Sequence, residues 1–420
     1  MKKNTVKVWL PNQVAPVIAG EFSWENGIGS FSYSTEYLSN PARYALDPVN
    51  LPLTRRPIKQ TGLRGLFGVF RDAGPDYWGR EVLKKMHGDL DEFDYVNLSG
   101  QDGVGAISIS DIKHKPLSLS DVDALMNNVA QGSHLERLAW AEIGINQPTS
   151  LGGAKPKITV EHDNALWIAK FPEKHEAQFL CHNEHTTLRL AEQLGFDSSI
   201  TKLHEFANGK FCLLVKRFDR TRISESGYAK TPFASANTVL GLTGDERHDA
   251  NRKSYLYLAD SMKRWVSKSE SSEQVEELWN RLALSALIGN YDDHARNHGF
   301  LYNHEVDRWS LSPVFDVMAM PYRNNLALSM AFHEKGAVAN METLIGSAER
   351  FGIDQEAAKD RLLTYATHIN DNWIPMAKAI DTPDDYIENI KSAFSNTLDA
   401  IDRLPLKVVS EVSGSLLRFK

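Results

Sequence analysis

Residues 291–297 read Tyr291-Asp292-Asp293-His294-Ala295-Arg296-Asn297 and follow an apolar helical stretch in which Trp279, Leu282, Leu284, Leu287 and Ile288 fall on or near one face. From Asp292 to Asn297 the chain has the spacing at which a phosphoryl-transfer loop carries two groups: a carboxylate that takes the proton of the attacking hydroxyl, and an amide that holds a metal ion. Asp316 comes nineteen residues after Asn297, in Val314-Phe315-Asp316-Val317, and offers a second metal-binding carboxylate. Between them, Gly299-Phe300-Leu301-Tyr302 and Trp309-Ser310-Leu311 can pair as a hairpin that holds both carboxylates over one cleft. Asp292 and Asp293 are adjacent, so either is a chemically sensible base. The spacing to Asn297 selects Asp292 and leaves Asp293 as a surface or auxiliary carboxylate.

Phosphoryl transfer from ATP also needs a backbone cover for the polyphosphate and a lysine. Ser150-Leu151-Gly152-Gly153-Ala154-Lys155-Pro156-Lys157 contains a glycine turn that can approach a phosphate closely, although an ordinary hairpin turn reads the same way. Ile158-Thr159-Val160 and Ala165-Leu166-Trp167-Ile168-Ala169-Lys170 flank the polar turn His162-Asp163-Asn164, a hairpin signature. Lys170 ends the second strand, where it can point into a cleft or reach to solvent. Glu184, in the helical stretch 176–194, is placed to orient Lys170 as an ion-pair partner. Phe211-Cys212-Leu213-Leu214-Val215 is short enough for a buried strand.

The rest of the chain fits this frame. With 420 residues, 42% of them hydrophobic and 24% charged, the composition is that of a globular protein with well-buried cores. A formal net charge of −7 argues against a dedicated nucleic-acid binder, which needs a basic surface. The two cysteines, Cys181 and Cys212, form no C-x-x-C pair and suit a reducing compartment. Lys7, Pro11 and Pro16 interrupt any leader-like apolar run, and no stretch is long enough to span a bilayer, so a cytoplasmic location without membrane attachment is the expectation. Strand-period segments at Val6–Leu10 and Gly29–Tyr33, a short helix from Asp76 to Met86, and a Gly-led strand at Gly103–Ile109 make the beginning of the chain mixed. Residues 220–255 are polar with glycines and read as a mobile loop, and 255–290 and 340–402 read as helical. The expectation is an α+β, bilobal, protein-kinase-like fold. It comprises an extra N-terminal mixed subdomain (1–130), a β-rich lobe with glycine loop and hinge (131–220), and an all-helical C-terminal lobe (221–420).

Two competing chemistries lack parts. His294 and His298 have the i, i+4 spacing of H-E-x-x-H, but Ala295 stands where that zinc motif carries its glutamate, and His182-Asn183-Glu184-His185 misses the inverted H-x-x-E-H pattern. No G-x-S-x-G elbow supports a serine hydrolase.

With these motifs assembled, the chain resembles the HipA family of serine/threonine kinase toxins over roughly residues 5–330. The resemblance rests on Asn12-Gln13, Leu51-Pro52-Leu53, Gly103-Val104-Gly105-Ala106, Ser150 to Ala154, Lys170, Asn183-Glu184, Arg217-Phe218-Asp219-Arg220, Asp292-x-His294-x-x-Asn297 and Leu311-x-Pro313-x-Phe315-Asp316. It implies Asp292 as the catalytic residue and Asn297 and Asp316 as magnesium ligands. It further implies Gly152, Gly153, Ala154, Lys155, Pro156 and Lys157 as the cover of ATP, Lys170 on its phosphates, and Lys216, Arg217 and Phe218 against the adenine, mainly through backbone groups. His294 belongs to the same nucleotide site. Ser150 is implied as a self-phosphorylated off-switch: about two added negative charges beside the ATP phosphates disfavour the closed loop. The family's expected partners are a small helix-turn-helix antitoxin of HipB type, DNA reached mainly through that antitoxin, and an aminoacyl-tRNA synthetase as substrate. Other readings of the same residues are an antitoxin-binding corepressor with weak catalysis, and a small-molecule or lipid kinase, whose loop also has the form D-x-H-x-x-N. Two residues depart from the family pattern. Asp293 stands where a small residue is typical, and Lys216 stands where a glutamate is familiar.

Overall fold

The computed structural model of the chain describes residues 1–75, 77–127, 156–172, 179–225, 227–244, 246–321 and 327–404, so the boundary expected near 130 falls outside them. The chain opens with an antiparallel sheet made of β1 (Lys2–Val8), β2 (Val17–Glu25), β3 (Ile28–Tyr33), β4 (Ile58–Gln60) and β5 (Ile107–Ser108), in the order β4-β3-β2-β1-β5. Asn26 and Gly27 join β2 to β3 with φ of 50° and 80°. Both are positive, as the tight turn that matches strand twist requires. Val6, Val8, Phe22 and Phe31 point to one buried face, the period of two expected of a half-covered sheet.

The second sheet runs β6 (Leu117–Ser118), β7 (Lys157–His162), β8 (Ala165–Lys170), β10 (Phe211–Lys216) and β9 (Thr201–Glu205). The β7–β8 turn, Asp163-Asn164, again has positive φ at both residues, 49° and 57°. Trp167, Ala169, Cys212 and Leu214 pack with Leu119, Val122 and Met126 of the helix Leu119–Asn127. Leu213 and Val215 instead meet Cys181 of the helix Leu180–Gln193. Because Leu213 pairs with Lys170 and Val215 with Ile168, alternation puts Lys170 on the face that carries this second helix.

The remaining residues form the helical lobe, built on Tyr255–Met262, Ser271–Leu287, Gln355–Ala379 and Ser395–Arg403. Its core is continuous with that of the first sheet: Phe22, Phe31, Phe67 and Phe70 belong to the same buried cluster as Leu258, Trp279 and Leu344. Where the sequence suggests an all-helical lobe, a three-stranded sheet also lies at its inner edge, because the hairpin of β14 (Gly299–Asn303) and β15 (Arg308–Leu311) finds a partner in β13 (Phe233–Ser235).

That pairing corrects the reading of 220–255 as a mobile loop. The segment contains β11 (Arg220–Ser224), β12 (Gly227–Lys230), β13 and the helix Ala236–Leu240. The signal is weak because β11 and β12 form a two-stranded ribbon with little apolar alternation. Its order comes instead from buried ions. Arg217, 2% exposed, donates to Asp219 at 2.9 and 3.0 Å and to Asp102 at 2.9 Å. Arg220 donates to the carbonyls of Gly103 and Gly105 at 2.6 and 2.9 Å.

The first sheet is fastened to the helical lobe by one carboxylate. Asp72, ending the helix Gly68–Asp72, accepts from the Ser235 N–H, the Ser235 hydroxyl and the Thr238 hydroxyl, each at 2.7 Å. Asp72→Ala strips partners from several groups at once and is expected to destabilise the chain by about 2–3 kcal/mol. Chemical denaturation checks this; an unchanged midpoint would show that this carboxylate does not help hold the lobes together.

Candidate functional site

The segment that carries the expected base is set by how the preceding helix stops. Ser271–Leu287 ends at Ile288, and Gly289 follows with φ of 66°. A Cβ at Gly289 would meet the Ala393 carbonyl oxygen at 2.5 Å, so a glycine is needed both for the turn and for the close approach. The chain then turns through 291–297. Asp292 is exposed, whereas Asp293 is 2% exposed and points into the lobe. Asp293 Oδ1 lies 2.9 Å from His298 Nε2, its other oxygen accepts from the Tyr255 hydroxyl, and Ser285 adds a further bond. Burial alone would raise the Asp293 pKa; His298 and these hydrogen bonds outweigh it and hold the carboxyl below its ordinary range. Asp293 is therefore neither a surface nor an auxiliary cleft carboxylate. An irregular loop sends neighbouring side chains in unrelated directions, which spacing alone does not reveal.

Asn297, 8% exposed, donates from Nδ2 to the Asp292 carbonyl at 3.0 Å, with a longer contact of 3.5 Å to the Asp316 carbonyl. This brings together the three residues selected by spacing. Asp316 sits at φ of 58°, a left-handed conformation costly for most side chains but accessible to Asp. The helix Leu180–Gln193 holds the segment after it. Asn183 donates to the Ala319 carbonyl at 2.7 Å and accepts the Ala319 N–H at 3.1 Å, and the Thr187 hydroxyl donates to the Val317 carbonyl.

Lys170 joins these pieces. Its Nζ lies 2.6 Å from Glu184 Oε1 and 2.7 Å from Asp316 Oδ1, with its side chain 13% exposed. Burial by itself would lower the ammonium pKa; Asp316 and Glu184 outweigh it and raise it. For Asp316, burial opposes ionisation, but Lys170 and Lys157 hold the carboxyl well below the ordinary range. Glu184 thus occupies the orienting position expected of it.

Lys170, Asn297 and Asp316 line a cleft of about 1050 Å³ between the lobes, together with Lys157, Ile168, Val215, Lys216, Phe218 and His294, whereas Asp292 and Glu184 are not among its lining residues. Phe218 packs against Phe233 and Phe315, at ring distances of 6.3 and 5.6 Å. Lys216 is exposed, with its N–H on the Ile200 carbonyl at 2.8 Å. Arg217 reaches the cleft wall, but its guanidinium is committed to Asp219 and Asp102. The Pro156 carbonyl accepts from the Phe171 N–H at 3.1 Å and fixes the start of β7. Ser150, Gly152, Gly153, Ala154 and Lys155 lie outside the described residues.

The donor set suits a hard cation. Asn297 Oδ1 and Asp316 Oδ2 make no protein hydrogen bond among the described residues, and both are oxygen ligands. A magnesium ion needs only one or two protein oxygens because it keeps water and phosphate in its shell. No group of three His, Cys, Asp or Glu side chains converges as a metal set among the described residues. No described helix is long and apolar enough to cross a membrane. Reading the sequence did not find Arg71, Asp72, Arg252 or the ion network around Asp219, all of which shape the cleft by contacts between distant segments.

The HipA N-terminal domain pattern matches residues 6–110, and the HipA-like C-terminal domain pattern matches residues 149–373. The chain belongs to the HipA family. A HipA structure from Shewanella oneidensis MR-1, solved in a toxin–antitoxin complex of HipA, HipB and operator DNA, shares its fold with a TM-score of 0.69 at 16% identity, covering 95% of this chain and 97% of that one. This HipA-family chain therefore has the α+β, bilobal, kinase-like fold. Helicobacter pylori serine/threonine-protein kinase CtkA is 27% identical over 180 residues, 41% of this chain and 52% of that protein. A Haemophilus influenzae protein that carries the word kinase in its name is 28% identical over 212 residues, 45% of this chain and 60% of that protein. The matched stretches thus span only half to three-fifths of these two relatives.

The adjacent aspartates are predicted to behave differently on substitution. Asp293→Ala removes one partner of a buried ion network and should cost about 3–5 kcal/mol, whereas exposed Asp292→Ala should change stability by no more than about 0.5 kcal/mol. Because the folded-state pKa of Asp293 lies below its ordinary value of 3.8, its contribution is complete above that value and is lost as pH falls through the folded-state pKa. Urea unfolding at neutral and acidic pH reads both effects; equal costs for the two variants would contradict the burial assignment.

Proposed function

We propose that the chain is an ATP- and magnesium-dependent serine/threonine protein kinase. The observation that carries this reading is the bridge from Lys170 to Glu184 and Asp316, set beside Asn297 and the exposed Asp292. Asp292 orients the attacking hydroxyl and takes its proton. Asn297 and Asp316 would hold magnesium through their two uncommitted oxygens, and Lys170, kept charged by its carboxylates, presents a cation to the phosphates. Lys216 and Phe218 receive the adenine at the hinge, with Arg217 locking the backbone behind them. Magnesium-bound ATP supplies the transferable phosphoryl group when bound. The kinase name of CtkA and membership of the HipA family support the same reading.

The finer assignments follow from the family. Ser150 is the self-phosphorylated off-switch beside the glycine loop Gly152 to Lys157, and an aminoacyl-tRNA synthetase or another translation component is the protein substrate. The Shewanella complex of HipA, HipB and operator DNA supports a HipB-type antitoxin as partner. A net charge of −7 suits a protein that reaches DNA through such a partner. Asp293, the carboxylate that departs from the family pattern, is turned into the lobe and away from the cleft.

The test is incubation of the purified chain with magnesium, labelled ATP and cell lysate, followed by phosphopeptide mapping. The wild type should label a protein substrate and Ser150. Asp292→Ala should lower transfer about a hundredfold or more, the usual share of a general base, while retaining nucleotide binding. Lys170→Met should lower both. Label in lipid and none in protein, or full activity of Asp292→Ala, would refute the proposal.

A further inference from the structure

The cleft continues past Asp316 to an end walled by the N-terminal part of the chain, where Arg71 and Arg252 join Arg296 of the catalytic loop. We infer that this end is a subsite for an anionic side chain, carboxylate or phosphoryl, lying near the phosphoacceptor residue of a protein substrate. The inference rests on the kinase reading above and names the substrate class for that same cleft.

Three observations carry it. The first is placement. The Asp72 clamp on Ser235 and Thr238 seats the helix Gly68–Asp72 against the helical lobe, and thereby fixes its neighbour Arg71 in the cleft wall. Arg296 stands next to Asn297 and four residues after Asp292, so an anion held here lies beside the transferring hydroxyl.

The second is the state of the arginines. The one side-chain hydrogen bond Arg71 makes among the described residues is a long one, 3.3 Å to the Leu242 carbonyl, and it has no ion-pair partner there. The side chain of Arg252, which is exposed, reaches only the Gly241 carbonyl among the described residues, at 3.4 Å. Arg71 is kept partly from water and feels the like charge of Arg296; both effects lower its pKa. A bound anion relieves both.

The third is that the nearby carboxylates are already committed. Asp72 serves Ser235 and Thr238, Asp249 accepts from Thr243 and Gly244 at 2.7–3.0 Å, and Glu92 is gripped by both terminal nitrogens of Arg80. Guanidinium groups pair with carboxylate and phosphoryl oxygens in planar, two-point fashion. These arginines line a concave cleft in a chain of net charge −7, which suits a side chain rather than the long phosphate track of a nucleic acid.

The experiment uses synthetic serine peptides that carry Asp, Glu, phosphoserine or Ala at each position flanking the acceptor, assayed with the full chain and with Arg71→Gln and Arg252→Gln. The wild type should prefer an anion at one flanking position by about tenfold in kcat/KM, the size of one charge-assisted hydrogen bond. Each variant should lose that preference while keeping its rate on the Ala peptide. A phosphoserine preference over Asp and Glu assigns the subsite to previously phosphorylated targets, and equal use assigns it to acidic ones. Arg252 is exposed, so its variant reports even where Arg71→Gln unfolds. Transfer to all peptides at equal rates, or a preference that survives both substitutions, overturns the subsite and leaves the kinase reading standing. Arg71-dependent competition by a short RNA that acidic peptides cannot match also overturns it. No transfer to any peptide by a wild type that labels protein in lysate overturns the subsite alone, and no transfer to peptide or protein overturns both readings.

Discussion

A single buried ammonium organises the cleft. Lys170 comes from a strand, Glu184 from a helix, and Asp316 from the segment after a hairpin in the other lobe. Two carboxylates drawn toward one point repel each other unless a cation stands between them, and a cation taken out of water is costly unless carboxylates meet it. Each of the three groups is therefore tolerable only with the other two in place. Such an arrangement contributes less to net stability than to definition: it favours the one relative placement of strand, helix and hairpin in which all three charges meet. The left-handed backbone at Asp316 is consistent with this, because a strained residue persists only where its surroundings over-determine it, and Asn183 and Thr187 hold the chain immediately beyond it.

The N-terminal sheet is part of the same construction. Its apolar core is continuous with that of the helical lobe, and two polar locks refine its position. Asp72 ties it to the strand that pairs with the β14–β15 hairpin, and Asp102 with the Gly103 and Gly105 carbonyls ties it to Arg217 and Arg220 behind the hinge. Arg217, Asp219 and Arg220 are all nearly inaccessible, so removing Asp219 leaves two buried guanidinium groups without the carboxylate they share. This dependence explains why one wall of the cleft is built from residues before position 110.

What could be read in the sequence was whatever depends on short spacing. The Asp292–Asn297 interval, the strand ending in Lys170 and the Asp163-Asn164 turn are local facts, and the backbone periods of strand and helix carry them directly into space. Alternation along β8 and β10 even fixes the face on which Lys170 lies. Residues whose role depends on distant partners left no such trace. Asp72 meets Ser235 across 163 positions and Arg217 meets Asp102 across 115, and nothing near either residue in the chain signals the contact. The ribbon of β11 and β12 was misread for a related reason: its order comes from buried ion pairs and not from an apolar stripe, the quantity that periodicity measures.

Asp292 and Asp293 show the limit of that kind of reading most sharply. They are chemically identical neighbours, and the fold assigns one to solvent and the other to the interior. The inward residue is held by Tyr255, Ser285 and His298, which come from two helices and the end of the loop itself. A loop of irregular backbone has no hydrogen-bond ladder to keep its shape, so a buried anchor has to supply the rigidity that a helix or strand would. Asp293 is such an anchor: by fixing the chain one residue after Asp292 and, through His298, one residue after Asn297, it sets both ends of the segment that faces the cleft. A carboxylate that looks like a disturbance of the site in sequence is, in the folded chain, what holds the segment carrying its neighbour in place.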